Sequence, residues 1–396
     1  MVPFEPRSEQ VSPWQLFVLL FFTISPTTVL ALPAFIGRYA GHDAWLSVAL
    51  VTAVGVQVVR LHLSLARRFP GQGWTDIHRT VLGPYLGALL NLLLWVWLAH
   101  TAGVIVREFG EFVVATVLPL TPLVVIQGTA LMLAMVAARG GIEVLARTAE
   151  MIFPVVAASF VLILVLLIPN MDARSLLPLL ESGWFNLVRG GIPPLAWLGE
   201  TVLALVILPS LAHWDGATRA GQAAVLAVGG LLTGLTLATI LVLGDTAALY
   251  TFPLFAATRT VTIADFLERL EPVITAIWVG GLVIKMGIWL YAATVVGAGT
   301  FGIADYRPLV TPMAALILAL SIWSFRNSSE MADFLTRSWP FYALFFQVVV
   351  PTGVGLVAAL RRLPAHGGGW PPGEPSGDGT AAAGGGGGSG GRGGQG

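Results

Sequence analysis

The sequence predicts an all-α polytopic membrane protein of about ten transmembrane helices, built as a 5+5 inverted repeat in which helices 1 and 6 are broken. Three observations predict it. The chain is 56% hydrophobic and 11% charged, with a mean hydropathy of +0.82, where soluble domains carry about 25% charged residues. Its apolar runs reach the roughly 20 residues needed to cross a bilayer. Two of those runs, one in each half, carry a helix-disturbing group near the midpoint.

The first run, 14–36, holds Ser25-Pro26-Thr27-Thr28 at its centre. Pro26 lacks an N–H and clashes with the carbonyl four residues earlier. Backbone groups freed at that depth persist only where protein or a polar cavity satisfies them. The expectation is two half-helices meeting at an unwound joint. The competing reading is a continuous, proline-kinked span whose hydroxyls bond back to the preceding turn. The segment before it is short and polar, and the run is longer than the roughly 7–15 residues of a signal-peptide core. Ala31-Leu32-Pro33-Ala34 is a poor cleavage site, so the span is expected to be retained.

Further spans follow at 44–65, 85–106, 121–138, 149–169, 190–212, 221–243, 271–296, 308–325 and 339–360. The divisions are a cytoplasmic N-terminus (1–13), a first repeat (14–169), a second repeat (190–360) and a disordered Gly-rich tail (365–396), which lacks the apolar residues for a core. Arginines crowd the connection after the second span (Arg60, Arg67, Arg68, Arg79) and also follow the fourth, sixth, eighth and tenth. By the positive-inside rule both termini face the cytoplasm. Among the connections, Trp74 to Leu82 reads as a short surface helix. Glu108 to Leu118 and Ile263 to Leu270 read as amphipathic outer helices, and Leu176 to Val188 as a longer outer loop with Trp184 and Phe185 at the interface.

An odd number of spans per half turns the second half upside down. The sixth span then matches the first, and Gly199-Glu200-Thr201 falls at the same depth as Ser25-Pro26. Paired interrupted helices of this kind hold ligands at the midplane. Helix N-termini would receive a carboxylate, while carbonyls and Glu200 would receive a cation or ammonium. An amino-acid zwitterion presents both charges.

Ionisable residues inside spans are functional candidates. Glu200 is the sharpest. Lys285, the one lysine among 21 basic residues, lies past the middle of span eight. It reads first as a snorkelling side chain, and second as a tether between halves or a cavity residue. His100 reads as a packed hydrogen-bonding group before a ligand. Glu108 and Glu111, beside Arg107, line an outer vestibule or form a solvated face. The candidate ligand-binding residues are Ser25, Pro26, Thr27, Thr28, His100, Trp197, Gly199, Glu200, Thr201 and Lys285. Arg147 and Glu150 share a helix face and are expected to form an intrahelical ion pair.

Other chemistries find little support. Net charge is zero, which argues against a nucleic-acid partner. The chain has no cysteine, and its six histidines show no metal-ligand spacing. With no activated nucleophile or phosphate loop, the expectation is no enzyme, no metal and no cofactor.

Several stretches carry a family resemblance. These are GIEVLARTAEMIFP (Gly141 to Pro154), WQLFVLLFFTISPTTVLALP followed by AGHDAWLS (Ala40 to Ser47), REFGEFV leading into LPLTP, and FLERLEPVITAIWVGGLVIKMGIWLYA (Phe266 to Ala292). In that order they resemble the spore germination B subunits, most specifically through Gly141, Glu143 and Arg147, with Glu150 in the same motif. The resemblance spans about residues 10 to 360. It implies the amino acid–polyamine–organocation superfamily and a leucine-transporter type of inverted repeat. It further implies a multi-pass subunit of a nutrient-germinant receptor in the spore inner membrane, working with an A subunit and a lipoprotein C subunit. Its ligand would be a small germinant, often an amino acid. Family ligand positions map by region only, to the joints of spans one and six and the faces of spans three and eight. The alternative function is an amino acid or polyamine permease working by alternating access.

Overall fold

The computed structural model describes residues 9–260 and 271–363, and these are helical almost throughout. Ser12-Pro13-Trp14-Gln15 starts the first helix, α1 (Pro13–Ala40), with a reciprocal cap. Gln15 N–H donates to Ser12 Oγ (3.2 Å) and Ser12 N–H to Gln15 Oε1 (3.0 Å), satisfying two donors that a helix start leaves free. The expected unwound joint is absent: α1 runs through Ser25–Thr28 as helix, with Pro26 and Pro33 inside it. Hydroxyls explain part of this. Thr23 donates to Leu19 O (2.8 Å) and Thr28 to Ile24 O (2.5 Å), the back-bonding that lets a helix bend without opening.

After α2 (Ala44–Arg68) comes α3 (Trp74–Leu82), the short helix expected there. His78 Nδ1 donates to Asn91 Oδ1 (2.6 Å) and Asn91 Nδ2 to Thr75 O (3.0 Å), which pins α3 to the next helix. Burial pushes the His78 imidazole down to about 4, against the partial opposition of the Asn91 hydrogen bond. That next helix, α4 (Pro84–Thr116), does not stop at residue 106. At 1.5 Å per residue it is about 50 Å long, and the expected outer helix beginning at Glu108 is its own last turns. Its charges are absorbed by protein. Arg107 pairs with Glu111 at 2.7 Å and donates to Ser321 O and Phe325 O (3.2 and 3.0 Å).

α5 (Leu123–Gly140) and α6 (Ile142–Leu167) meet at Gly141, whose φ is +96°. A side chain there would be strained and would strike the Glu9 carboxylate. Glu9 accepts from Ile142 N–H (3.2 Å), capping α6, and from Arg307 Nη2 (2.7 Å). On α6, Arg147 pairs with Glu143 (2.8 Å), not with Glu150 as expected. Helical side chains lean towards the N-terminus, so a glutamate one turn before the arginine is better placed than one after it. Glu150 instead accepts from Gln15 Nε2 (3.1 Å).

The expected outer loop ends in a helix, α7 (Gly183–Gly190), which exposes Trp184 and Phe185. Span six follows as α8 (Ile192–Leu198), a 3₁₀ stretch Gly199–Leu203, α9 (Ala204–Ile207) and a 3₁₀ turn Leu208–Ser210. Val11 N–H donates to Ser210 O (2.8 Å) and Ala212 N–H to Val11 O (3.0 Å), stitching the N-terminal segment to the end of this span. Then come α10 (Ala217–Leu243), α11 (Pro253–Thr258), α12 (Glu271–Phe301) and α13 (Val310–Trp323). The last span is α14 (Ser328–Asp333), a π segment Phe334–Ser338, α15 (Trp339–Leu344), a second π segment Phe345–Val349, and α16 (Val350–Leu360). The expected helix at Ile263 to Leu270 and the tail from 365 lie outside the described residues.

Among the described residues, eight helices are long and apolar enough to cross a membrane, and Arg307–Trp323 is a shorter apolar helix. Contacts recur between the halves. α1 lies along α10 as the span-six segments lie along α2, and α4 packs on α13 as α12 packs on α5.

Candidate functional site

The centre of the bundle is a charge pair. Lys285 of α12 donates to Glu200 Oε2 (2.7 Å) and to Thr27 Oγ1 (2.8 Å). Lys285 is 0% exposed and Glu200 1%. The lysine therefore does not snorkel. A carboxylate and a hydroxyl within reach hold it better than a long stretch to the interface would. Three elements meet there: α1, the 3₁₀ stretch of span six, and α12. One face of α12 makes the contact. Trp278, Gly281 and Lys285 share that face at helical spacing. Trp278 Nε1–H donates to Pro26 O (2.7 Å), and a side chain on Gly281 would meet the Phe22 ring.

Why span six tightens at Gly199 is visible in its neighbours. A Cβ on Gly199 would run into the amide end of the Gln347 side chain, which would have to shift. Gln347 lies in the second π segment and is fully buried, with neither side-chain amide atom hydrogen-bonded among the described residues. Its backbone carbonyl accepts from His62 Nε2 (2.6 Å), and His62 Nδ1 faces Thr201 Oγ1 (3.1 Å). A carbonyl only accepts, so Nε2 carries the proton towards Gln347 O, while the Thr201 hydroxyl beside Nδ1 also lies 3.2 Å from Leu198 O, to which it can donate. His62 thus joins α2, span six and the last span.

The structure gathers Pro26, Thr27, Gly199, Glu200, Thr201 and Lys285 around these contacts. Ser25 is buried with its Oγ unbonded among the described residues, and Thr28 bonds back along α1. Trp197 packs between Phe35 and Trp339, at ring distances of 6.1 and 4.6 Å. His100 is set apart from the pair by its contacts, edge-on to Phe334 and Tyr342 at 5.7 Å each. Gly141, Glu143, Arg147 and Glu150 belong to the α5–α6 turn and contact the N-terminal segment or each other, not the pair. His62 and Gln347 escaped the sequence reading. The signal for both was present: a polar residue inside an apolar span.

A separate pocket of about 590 Å³ is lined by Phe35, Glu108, Glu111, Tyr250, Arg259 and Ser328 among others. This is a volume suited to a small molecule. Glu108 is 6% exposed, and its carboxylate has no hydrogen-bond partner among the described residues. Phe35 connects pocket and site, since its ring lines the one and stacks on Trp197 of the other.

An interior polar site between the first, sixth and eighth spans of a helical membrane bundle defines a protein of the leucine-transporter fold. Two solved structures share that fold. Mhp1, a nucleobase-cation-symport-1 family transporter in a closed conformation with bromovinylhydantoin bound, matches at a TM-score of 0.59 and 15% identity, over 91% of this chain and 81% of its own. MhsT in complex with L-phenylalanine matches at 0.60 and 13% identity, over 89% of this chain and 99% of its own. The model of the spore germination protein (Spore_permease) family matches residues 10–329, and the chain belongs to that family. Spore germination protein KB of Bacillus subtilis (strain 168) is 30% identical over 362 residues, covering 89% of this chain and 95% of that protein.

Proposed function

We propose that this chain is the membrane-embedded B subunit of a spore nutrient-germinant receptor, and that it binds a small zwitterion, an amino acid, between the two five-helix repeats at 14–169 and 190–360. The single observation that carries this reading is the buried Lys285–Glu200 pair tied to Thr27. The pair presents, in one contact, both charges that a zwitterion needs. An incoming ammonium competes for Glu200, or is received by the unbonded Glu108 on the way, while the ligand carboxylate takes Lys285. One internal pair is exchanged for two pairs with ligand, and α1, span six and α12 are freed from their common tether. A ligand moves a conformational equilibrium only by its preference for one state. Going from 1:99 to 99:1 takes about 5.5 kcal/mol, a scale that rearranging a buried ion pair can reach. The A subunit and the lipoprotein C subunit would read that shift. Membership of a germination family and the fold shared with ligand-carrying transporters support the reading.

The test uses purified chain in liposomes. An amino-acid germinant should bind without accumulating, even under an imposed proton gradient, because a ligand that strongly favours one state traps the protein. Glu200→Gln should weaken binding by roughly 10- to 150-fold, the loss of one charge-assisted contact. Robust gradient-driven uptake would remove the receptor reading and leave an amino acid or polyamine permease.

A further inference from the structure

Along α2, Gln57, Arg60, Ser64 and Arg67 are all exposed, and their spacing puts them on one face of the helix. α2 ends at Arg68. Arg67 therefore stands at the level of lipid headgroups, whereas Arg60 lies about 10 Å, and Gln57 about 15 Å, further along the helix. The hydrocarbon core is about 30 Å thick, which puts Arg60 well inside it and Gln57 near its middle. Arg60 does not reach back towards the nearer interface. Its Nη1 donates to Gln57 Oε1 at 3.2 Å, which turns the guanidinium deeper. A guanidinium has five N–H donors and no acceptor, lipid tails satisfy none of them, and a charge at this depth is costly unless protein or water receives it.

Beside this stripe a groove of about 520 Å³ runs between α2 and α16, lined by apolar and small residues such as Leu61, Ser64 and Gly355 and, at its α2 end, by Arg67 and Arg68. A side chain on Gly355 would meet open space. Small residues at such a surface let another helix approach closely.

We propose that this face of α2 and α16 is the docking surface for a transmembrane helix of a partner chain that carries a carboxylate at the depth of Arg60. Charge complementarity selects that occupant. A second copy meeting this one through the same face does not fit, because neither α2 nor α16 contains Asp or Glu, and an α2-to-α2 contact would set Arg60 against Arg60. A phospholipid does not fit either, since its phosphate stays in the headgroup layer, where it meets Arg67 and not Arg60. The inference draws on the receptor reading only for the existence of partner subunits.

The experiment places a photo-crosslinking residue at Ser64 of the full chain, expressed in sporulating cells of the source organism, with the same residue at Leu133 of α5 as control. The expected product from position 64, absent from position 133, is a crosslink to a membrane-spanning segment of another protein with Asp or Glu in its interior. Arg60→Glu should cut its yield about 5- to 30-fold, the factor one interhelical polar contact supplies in lipid. Changing the partner carboxylate to Lys should restore it. Thermal unfolding of the Arg60→Glu chain alone in detergent should match the parent, which separates lost docking from lost folding. Crosslinks only to lipid, to a second copy, to residues 364–396 or to a helix without an acid would each overturn the proposal, as would a yield indifferent to Arg60→Glu. Amino-acid binding by the purified chain is scored separately. If binding fails while the charge-dependent crosslink stands, the receptor reading falls and the docking surface remains.

Discussion

Spans one and six carry a disturbance at the same expected depth, yet they resolve it differently. α1 keeps its helix through Ser25–Thr28. Span six gives up α geometry at Gly199 and passes through Glu200–Leu203 as 3₁₀. Pro26 leaves the carbonyl four residues earlier without its helical donor, yet the helix continues, with hydroxyls at Thr23 and Thr28 bonding back to Leu19 O and Ile24 O and Trp278 donating to Pro26 O from outside. Glycine removes the side chain that would hold the last span away, and Gln347 moves into the space. A helix is thus displaced from its regular path less by a missing donor than by a neighbour's close approach. Tight winding in a short piece is a common mark of a functional segment.

The largest expected effect comes from the contact that joins the two spans. Lys285→Met or Glu200→Gln alone leaves a buried partner uncompensated and should cost about 3–5 kcal/mol in thermal unfolding. The double substitution should recover most of that stability while ligand binding stays lost. If either single variant is as stable as the double, the pair does not tie the spans. Next in size, Gly199→Ala should overpack the crossing by about 1–3 kcal/mol. Gln347→Ala in the same chain should relieve most of it, because the two changes share one space. Additive costs would mean that the 3₁₀ stretch arises from span six itself. The smallest effect belongs to α1. Thr28→Val removes one back-bonding hydroxyl and should cost about 1 kcal/mol or less, with the helix intact. A loss comparable to that at Gly199 would show that α1 depends on Thr28 as a joint.

Which of these features could be read from sequence depends on the range of the cause. Spans follow from hydropathy, a local property, and α3 was legible at both ends because Gly73 and Gly83 bracket Trp74–Leu82. Glu200 and Lys285 stood out as charges in apolar runs, but their pairing reaches across 85 positions, and nothing near either residue announces the other. Ser25-Pro26-Thr27-Thr28 reads equally well as a joint or as a kink, because part of the answer lies with Trp278. Glu108 belongs to a long helix because protein covers it far beyond the expected end of span three, a fact about neighbours. His62 is an imidazole within a span, but its partners Thr201 and Gln347 lie 139 and 285 positions away, and nothing local separates it from the other five histidines. Spacing alone allows Arg147 either Glu143 or Glu150, and side-chain direction along the helix selects Glu143.

The same separation along the chain bears on how the protein enters the membrane. Glu200 is synthesised first. Lys285 follows 85 positions later, about 4–17 s at 5–20 residues per second. Throughout that interval span six holds an acid with no lysine to meet it, on a segment that apolar flanks must carry into the bilayer unaided. A chain that stops before α12 should leave span six poorly inserted and open to membrane proteases, however apolar its neighbours are.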